Sequence, residues 1–212
     1  MRKYSIADKV ILGLQQFLHS TLPTSNPSAR PNPSTLIEQD DLSFEHRGLS
    51  QRLMRINHRG EVCAQALYQG QALAARDKTL RCNLLQAAQE ETDHLLWCQT
   101  RIRELQGRTS YLNTLWWAGS YSIGIIAGFV GDRWSLGFLA ETENQVYTHL
   151  QKHLQQLPQE DYKSRAILEQ MQWDEQQHAI SAIKQGAYDL PQPIVWMMSS
   201  TARIMTTLTY YA

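Results

Sequence analysis

Two stretches of this sequence carry the same local pattern, a glutamate followed three positions later by a histidine: Glu91-Thr92-Asp93-His94 and Trp173-Asp174-Glu175-Gln176-Gln177-His178. Each lies within a helical pattern of apolar residues, so its glutamate and histidine share one face of a helix and can bind one metal ion. A single pair carries the usual risk of a chance match. Two pairs on separate helices, with two further inward glutamates, are typical of dinuclear carboxylate sites in four-helix bundles.

Two further glutamates occupy core positions of predicted helices. Glu61 interrupts the apolar stripe of a helical pattern over about residues 44–76, and Glu143 interrupts that of a pattern over about 135–157. A solubilising charge would be misplaced at either position, since charged side chains are rarely buried without partners. Gly60 slightly weakens the first helix but permits a neighbouring helix to come close.

The heights of the four glutamates along the helices agree. With the first interhelical turn placed at Lys78, Glu61 lies 17 residues before it and Glu91 lies 13 after it. With the second turn at Pro158, the two glutamates of the second hairpin lie 15 residues before and 17 after. At 1.5 Å of rise per residue, the mismatches are roughly 6 Å and 3 Å. All four carboxylates are therefore predicted to meet near the middle of one bundle.

The remaining patterns predict an all-α four-helix bundle with an apolar crossover helix and additional terminal helices. Further helical patterns cover about residues 80–105 and 160–187, and no window alternates with the period of a strand. Residues 1–35 are predicted to form an N-terminal helix, about 5–20, and a Pro-rich linker. Residues 36–212 are predicted to form the catalytic domain, including the apolar crossover 109–131 and a C-terminal helix over 194–211.

The predicted site has four carboxylates and two imidazoles. Four negative charges neutralise two divalent ions and leave coordination positions open for dioxygen or water. This donor set suits iron or manganese, and the absence of thiolates argues against structural zinc. Glu91 and Glu175 are the expected bridging ligands, and Glu61 and Glu143 the expected terminal ligands. The six predicted metal ligands and catalytic residues are Glu61, Glu91, His94, Glu143, Glu175 and His178.

Carboxylates next to the ligands are candidates for an outer layer of contacts. A metal-binding histidine usually donates its second ring N–H to a carboxylate or carbonyl. Asp174 is predicted to reach His94, and Glu90 is predicted to reach His178, with Asp93 as a competing candidate. An exposed, purely solvated Glu90 is an equally good interpretation of the sequence.

The composition excludes several classes of protein. Lys plus Arg (20) balance Asp plus Glu (20) in 212 residues, so nothing indicates a nucleic-acid partner. The odd set Cys63, Cys82 and Cys98 argues against a disulfide framework and favours a reducing compartment. The polar, periodic N-terminus is unlike a secretory signal. We therefore expect a protein of the cytoplasm or of the cytoplasmic face of a membrane.

The crossover segment 109–131 contains no charged residue and is rich in Trp and Ile. Its length would suit a membrane span, but a single span would separate the two hairpins and divide the site. We therefore expect the segment to run along the bundle and to lie partly in a membrane interface. Burial within the protein or in a dimer interface is the alternative. The apolar C-terminal pattern offers a second such surface, and together they suggest a lipid-soluble substrate.

Four stretches of the chain resemble the bacterial demethoxyubiquinone hydroxylases: residues 56–71, 90–94, 141–143 and 174–178. The likeness extends from about residue 45 to the end. It implies a ferritin-like fold with two iron ions per subunit, bound by the six ligands predicted above. It also implies a peripheral enzyme of the cytoplasmic face of the inner membrane that hydroxylates the ring of demethoxyubiquinol with dioxygen.

Two neighbours of the predicted ligands need separate interpretation. Glu141 competes with Glu143, but only Glu143 continues the apolar stripe of its helix. His149 resembles a family histidine near the site, although its helical position is off the ligand face. With His153 it forms an i, i+4 pair, which we interpret as exposed.

Other functions also use a dinuclear carboxylate site. A ferritin-like iron-oxidising or storage protein predicts a polar exterior, which the apolar crossover contradicts. A desaturase or a transfer-RNA hydroxylase is a further alternative, although the latter would require a basic face. No Rossmann-type glycine motif is present, so electrons are expected from reduced nicotinamide bound in another way or from a separate reductase. We also expect the chain to form a homo-oligomer or to join a ubiquinone-biosynthesis complex.

Overall fold

A computed structural model describes residues 29–39 and 41–211. These ranges form helices and connecting loops without any strand, which confirms the predicted all-α fold. The helix predicted over residues 5–20 lies outside the described residues, and the division at residues 35 and 36 stays a prediction. The helices are α1 (Phe44–Ala74), α2 (Lys78–Glu104), α3 (Asn113–Val130), α4 (Asp132–Gln156), α5 (Tyr162–Lys184) and α6 (Gln192–Tyr211).

The ends of the helices follow from local sequence chemistry. Ser43 Oγ accepts a hydrogen bond from the His46 amide at the start of α1, at 3.2 Å. Asp77 Oδ1 accepts one from the Leu80 amide at the start of α2, at 2.7 Å, so both caps satisfy backbone donors that the first turn leaves free. Gly131 alone separates α3 from α4 and has a φ of 146°, which favours glycine.

The two largest hydrophobic clusters of the described residues lie in the bundle, one on each side of the level that carries the predicted ligands. The first cluster joins the start of α1 to the end of α2, and the end of α4 to the start of α5. Helices α1 and α2 are therefore antiparallel, as are α4 and α5. The first cluster includes Leu53, Met54, Trp97, Cys98, Ile102, Leu150, Ile167, Leu168 and Met171. The second includes Leu67, Tyr68, Leu80, Leu84, Leu136, Leu139 and Ala182.

Helix α3 packs along α1 through glycines that allow the two backbones to touch. A Cβ atom at Gly70 would lie 2.2 Å from the Tyr121 carbonyl oxygen, and one at Gly124 would lie 2.2 Å from the Leu67 carbonyl oxygen. The close approach therefore occurs at Gly70 and not at Gly60, where an added Cβ would meet nothing within 4 Å. As predicted, the apolar crossover runs along the bundle.

Helix α6 also lies on α1 and runs antiparallel to it. Cys63 Sγ lies 3.4 Å from Met205 Sδ, and the Arg52 guanidinium lies 5.2 Å from the ring centre of Tyr210. Helices α3 and α6 therefore cover the α1 side of the bundle and leave the α2 and α5 side uncovered by either. None of the described helices combines the length and apolar character that a membrane span requires.

Candidate metal centre

The structure brings the six predicted ligands together at one level of the bundle, between the two hydrophobic clusters. They form two groups of four, and within each group the potential ligand atoms lie within 4.8 Å of one another. One group is Glu61, Glu91, His94 and Glu175, and the other is Glu91, Glu143, Glu175 and His178. Since Glu91 and Glu175 belong to both groups, they occupy the positions expected of bridging ligands.

Both histidines direct the same ring nitrogen toward the centre of the cluster. His94 Nδ1 lies 3.2 Å from Glu91 Oε2, 3.2 Å from Glu175 Oε1 and 3.5 Å from Glu61 Oε2. His178 Nδ1 lies 3.3 Å from Glu175 Oε2 and 3.5 Å from Glu91 Oε1. The Nδ1 atoms are therefore available as donors to a metal ion, while the Nε2 atoms face outward.

The outward nitrogens contact the two carboxylates that the sequence predicted. His94 Nε2 lies 2.9 Å from Asp174 Oδ2, and His178 Nε2 lies 2.8 Å from Glu90 Oε2. Each carboxylate accepts the Nε2–H bond, which leaves the Nδ1 lone pair directed inward. The alternative of a purely solvated Glu90 is wrong. Asp93 does not compete for His94 but accepts the Ala29 amide at 2.7 Å.

Unpartnered oxygens show that the cluster suits a positively charged occupant. Within the described part of the chain, buried oxygens of all four cluster carboxylates have no hydrogen-bond donor, including both oxygens of Glu143. A buried carboxylate without a donor is strongly unfavourable, and metal coordination is the usual way to compensate it. Oxygen and imidazole donors suit iron and manganese, so the residues present fit a dinuclear metal site.

Burial and the proximity of the carboxylates also shift pKa values within the cluster. Burial raises the pKa of Glu143 well above its ordinary value, and the adjacent Glu175 raises it further. Burial likewise raises the pKa of Glu61, with contributions from Glu91 and Glu175. Burial opposes charge on His178, but the neighbouring carboxylates outweigh it and raise the pKa of His178 to about 12. Without a metal, the cluster therefore retains protons, which is the expected electrostatic signature of a cation site.

Arg30 belongs to this site, although the sequence offered no signal for it. It lies in the Pro-rich linker to which we assigned no function. Its Nη1 donates to Asp174 Oδ2 at 2.9 Å, and its Nε donates to Asp93 Oδ2 at 3.2 Å. No helical period or motif marks the residue, because its partners come from helices distant in sequence.

The two alternative residues on α4 lie outside the cluster. Glu141 accepts a hydrogen bond from Gln145 Nε2 at 2.6 Å, one turn along the same helix. The interpretation of His149 and His153 as an exposed pair is wrong, because His153 is buried and its Nδ1 donates to Asn57 Oδ1 at 2.7 Å. Burial lowers the pKa of His153 to about 3. A polar partner on α1, not predicted from the α4 pattern, makes this burial favourable.

A groove of about 300 Å³ opens beside His178, between α2, α4 and α5. Its floor is mainly apolar, with Leu84 and Leu139, and its rim is polar, with Gln86 and Glu90. The groove lies on the opposite side of α2 from α1, away from the surface that α3 and α6 cover. It therefore connects one half of the candidate site to solvent.

Comparison with known proteins gives the family of the chain. The family model of the ubiquinone biosynthesis protein COQ7 matches residues 48–209, which include all six predicted ligands. The chain is 51% identical to the 3-demethoxyubiquinol 3-hydroxylase of Nitrosomonas europaea, covering 96% of this chain and 98% of that protein. It is 50% identical to the enzyme of the same name from Pseudomonas putida, covering 99% and 97%. The chain therefore belongs to the family of the ubiquinone biosynthesis protein COQ7.

Proposed function

We propose that this chain is a 3-demethoxyubiquinol 3-hydroxylase, an oxygen-dependent monooxygenase with two iron ions. Its substrate is the ring of demethoxyubiquinol, 2-polyprenyl-3-methyl-6-methoxy-1,4-benzoquinol. The observation that carries the proposal is the pair of four-residue groups sharing two glutamates, in a chain about half identical to named hydroxylases over nearly its full length.

The chain's residues have separate parts in this function. Glu61 and Glu143 would each bind one ion, while Glu91 and Glu175 would bind both, with the histidine Nδ1 atoms completing the set. When bound, two ferrous ions supply the electrons and coordination positions that activate dioxygen for insertion of one oxygen atom into the ring. The apolar clusters on both sides of the site exclude water, and the outer carboxylates hold the imidazoles in one tautomer.

The exterior of the molecule favours a hydroxylase of a lipid-soluble substrate over an iron-storage protein. Helices α3 and α6 expose large apolar side chains, such as Phe129 at 68% and Trp196 at 76%. A soluble storage protein is expected to have a polar exterior, and large apolar patches mark interaction sites. The other such side chains on these helices are Leu115, Ile123, Ile126, Val130, Met197, Ile204, Leu208 and Tyr211.

This apolar surface is proposed to rest in the cytoplasmic face of the inner membrane, where the quinol resides. Arginines support a membrane with anionic headgroups as the occupant of this surface. Arg55 Nε donates to the Arg108 carbonyl at 3.0 Å, the Arg108 guanidinium lies 4.2 Å from the ring of Tyr111, and Arg52 lies near Tyr210. Among the described residues none of these arginines forms an ion pair with a carboxylate, so their charge is available to phosphate groups.

The remaining partners are proposed from chemistry alone. A monooxygenase needs two electrons for the oxygen atom that leaves as water. We propose reduced nicotinamide or a separate reductase as the donor. A homo-oligomer or a complex of ubiquinone-biosynthesis proteins would cover part of the apolar surface.

The decisive experiment replaces a shared glutamate. In cells carrying Glu175→Ala as the only copy, we expect loss of iron from the purified protein and accumulation of the demethoxy quinone, measured by mass spectrometry. The matched control is Glu169→Ala, an exposed glutamate on the same helix. Normal hydroxylated ubiquinone in the Glu175→Ala strain would contradict the proposed function.

The membrane position has a separate test. Binding of the purified protein to vesicles of anionic phosphatidylglycerol is compared with binding to neutral phosphatidylcholine by co-sedimentation. The double variant Arg55→Gln with Arg108→Gln is expected to lose roughly 10-fold in affinity for the anionic vesicles. Arg81→Gln, on α2, is the control, because each of these substitutions removes one positive charge. Equal binding of all proteins to both vesicles would contradict the anionic surface.

A further inference from the structure

The linker that precedes the bundle is attached beside the metal site through the Arg30 side chain and the Ala29 amide. Arg30 directs its guanidinium at the carboxylates of Asp93, on α2, and Asp174, on α5, at 3.2 Å and 2.9 Å. The same group lies 4.9 Å from the ring centre of Trp97. The amide of Ala29 adds a bond to Asp93 at 2.7 Å. The linker thus connects the two helices that carry the Glu-x-x-His pairs.

Two donors share Oδ2 of Asp174, while Gln170 Nε2 donates to its other oxygen, Oδ1, at 3.1 Å. Arg30 Nη2 lies 3.2 Å from His94 Nε2. When His94 faces the metal site through Nδ1, its Nε2 carries the proton, so these two nitrogens are both donors and do not bond each other. Instead, both His94 Nε2 and Arg30 Nη1 donate to Asp174 Oδ2, each at 2.9 Å. The arginine therefore fixes the oxygen that orients the His94 ring.

Charge explains why an arginine is needed at this place. Asp93 and Asp174 are 1% and 4% exposed, and the bundle brings their two carboxylates into one buried region. Arginine presents a rigid fork of donors that binds two carboxylates at once, whereas lysine offers a single point charge. Burying either aspartate without this partner would be costly. The guanidinium thus holds the Asp174 side chain in place.

Among residues 29–39 and 41–211, the other half of the site has no arginine in an equivalent position. Glu90, which accepts from His178, receives the Gln86 side-chain amide at 3.2 Å. Apart from His178 itself, no cationic side chain in the described ranges forms an ion pair with Glu90. Each histidine therefore contacts a carboxylate through Nε2, but an arginine binds only the carboxylate that contacts His94. A change at Arg30 should affect one metal position more than the other.

We propose that Arg30 is a positioning residue for the metal position on the His94 side, and that it makes metal binding there depend on attachment of the linker. The proposal rests on the dinuclear site of the proposed function. Arg30 touches neither the metal positions nor the reacting atoms, so it acts through Asp174 and His94. Its removal lets Asp174 reorient, which frees the His94 ring and weakens one of the two positions.

The test compares Arg30→Gln and Arg30→Lys with the wild type. Stepwise affinities for ferrous iron are measured by anaerobic titration, and Mössbauer spectra of the loaded protein distinguish the two iron positions. Arg30→Gln is expected to weaken one position by about 10-fold or more and to shift one quadrupole doublet, as outer contacts of metal ligands typically do. Arg30→Lys is expected to recover part of this loss, since it restores charge without the fork.

Two controls separate positioning from general stability. Arg47→Gln removes the ion pair that another partly exposed arginine forms with the fully exposed Asp41, far from the site, and is expected to leave both doublets unchanged. Glu90→Gln is expected to shift the other doublet. Unchanged affinities and spectra in Arg30→Gln would overturn the proposal, and so would equal weakening of both positions with a lower melting temperature of the metal-free protein. If the wild type itself binds no pair of ions, the proposed function fails instead.

Discussion

The two halves of the candidate site have the same sequence pattern but different surroundings. On the His94 side, the imidazole is 0% exposed, its carboxylate partner Asp174 is 4% exposed, and Arg30 closes the region. On the His178 side, the imidazole is 12% exposed, its partner Glu90 is 32% exposed, and a groove leads to solvent. One half is therefore closed and the other accessible. This difference suggests that exchange with solvent occurs through the His178 side.

The largest expected effect comes from removing a glutamate that belongs to only one of the two groups of ligands, either Glu61 or Glu143. Glu61→Ala and Glu143→Ala should each lower bound iron from about two ions to about one per chain, because each removes a ligand of a single position. The remaining ion should show a different Mössbauer doublet in the two variants. Iron content by elemental analysis and the spectra check this.

Glu141→Ala is the matched control, because Glu141 lies two residues from Glu143 but outside the cluster. It should keep the wild-type iron content. Identical spectra for the Glu61→Ala and Glu143→Ala proteins would break the comparison, since the two halves would then not be separable.

A smaller effect is expected for the outer carboxylates, and it should differ between the halves. Asp174→Asn should weaken iron binding by about 10- to 100-fold, because it disturbs a buried acceptor shared by His94 and Arg30. Glu90→Gln should cost less than about 10-fold, since solvent can replace a partly exposed partner. Stepwise affinities by anaerobic titration distinguish the two. Equal losses would mean that burial does not set the strength of the outer contact.

The pH dependence of the metal-free protein tests the electrostatics of the His178 half. The pKa of Glu143 is raised by burial, so its contribution to stability is present below its ordinary pKa and is lost as the pH rises through the raised value. Near neutral pH, the free energy of unfolding of metal-free Glu143→Gln should therefore be about 1–3 kcal/mol higher than that of the wild type.

This advantage should disappear as the pH approaches the ordinary pKa of a glutamate, because the wild-type side chain is then neutral as well. Urea unfolding at several pH values measures it. A constant difference between the two proteins across this range would show that shape, and not charge, determines the effect.

The smallest expected effect concerns access through the groove. Ala87 lines the groove, and Ala87→Phe adds volume to a space of about 300 Å³. We expect a several-fold slower removal of iron by a soluble chelator, with unchanged affinity at equilibrium. Leu208→Phe, on the exposed face of α6, is the control. An unaltered rate of removal in Ala87→Phe would show that exchange does not use the His178 side.

Much of the architecture was predictable because it depends on local periodicity. Repeats of apolar residues placed the helices to within a few residues of their observed ends, and Glu61 and Glu143 stood out as charges within those repeats. The common height of the four glutamates followed from counting along antiparallel hairpins. The contacts from Asp174 to His94 and from Glu90 to His178 were also predicted, since neighbours of a ligand on a helix point into the same region.

Only the tertiary structure decided the features that depend on distant partners. Arg30 meets Asp93 and Asp174, which lie 63 and 144 residues away, and no local pattern reports such a contact. His153 is buried because Asn57 of another helix accepts a hydrogen bond from its Nδ1. The sequence by itself determined which residues could hold two metal ions. Packing determined which half is closed, because burial and long-range ion pairs arise only when separate helices and the linker meet.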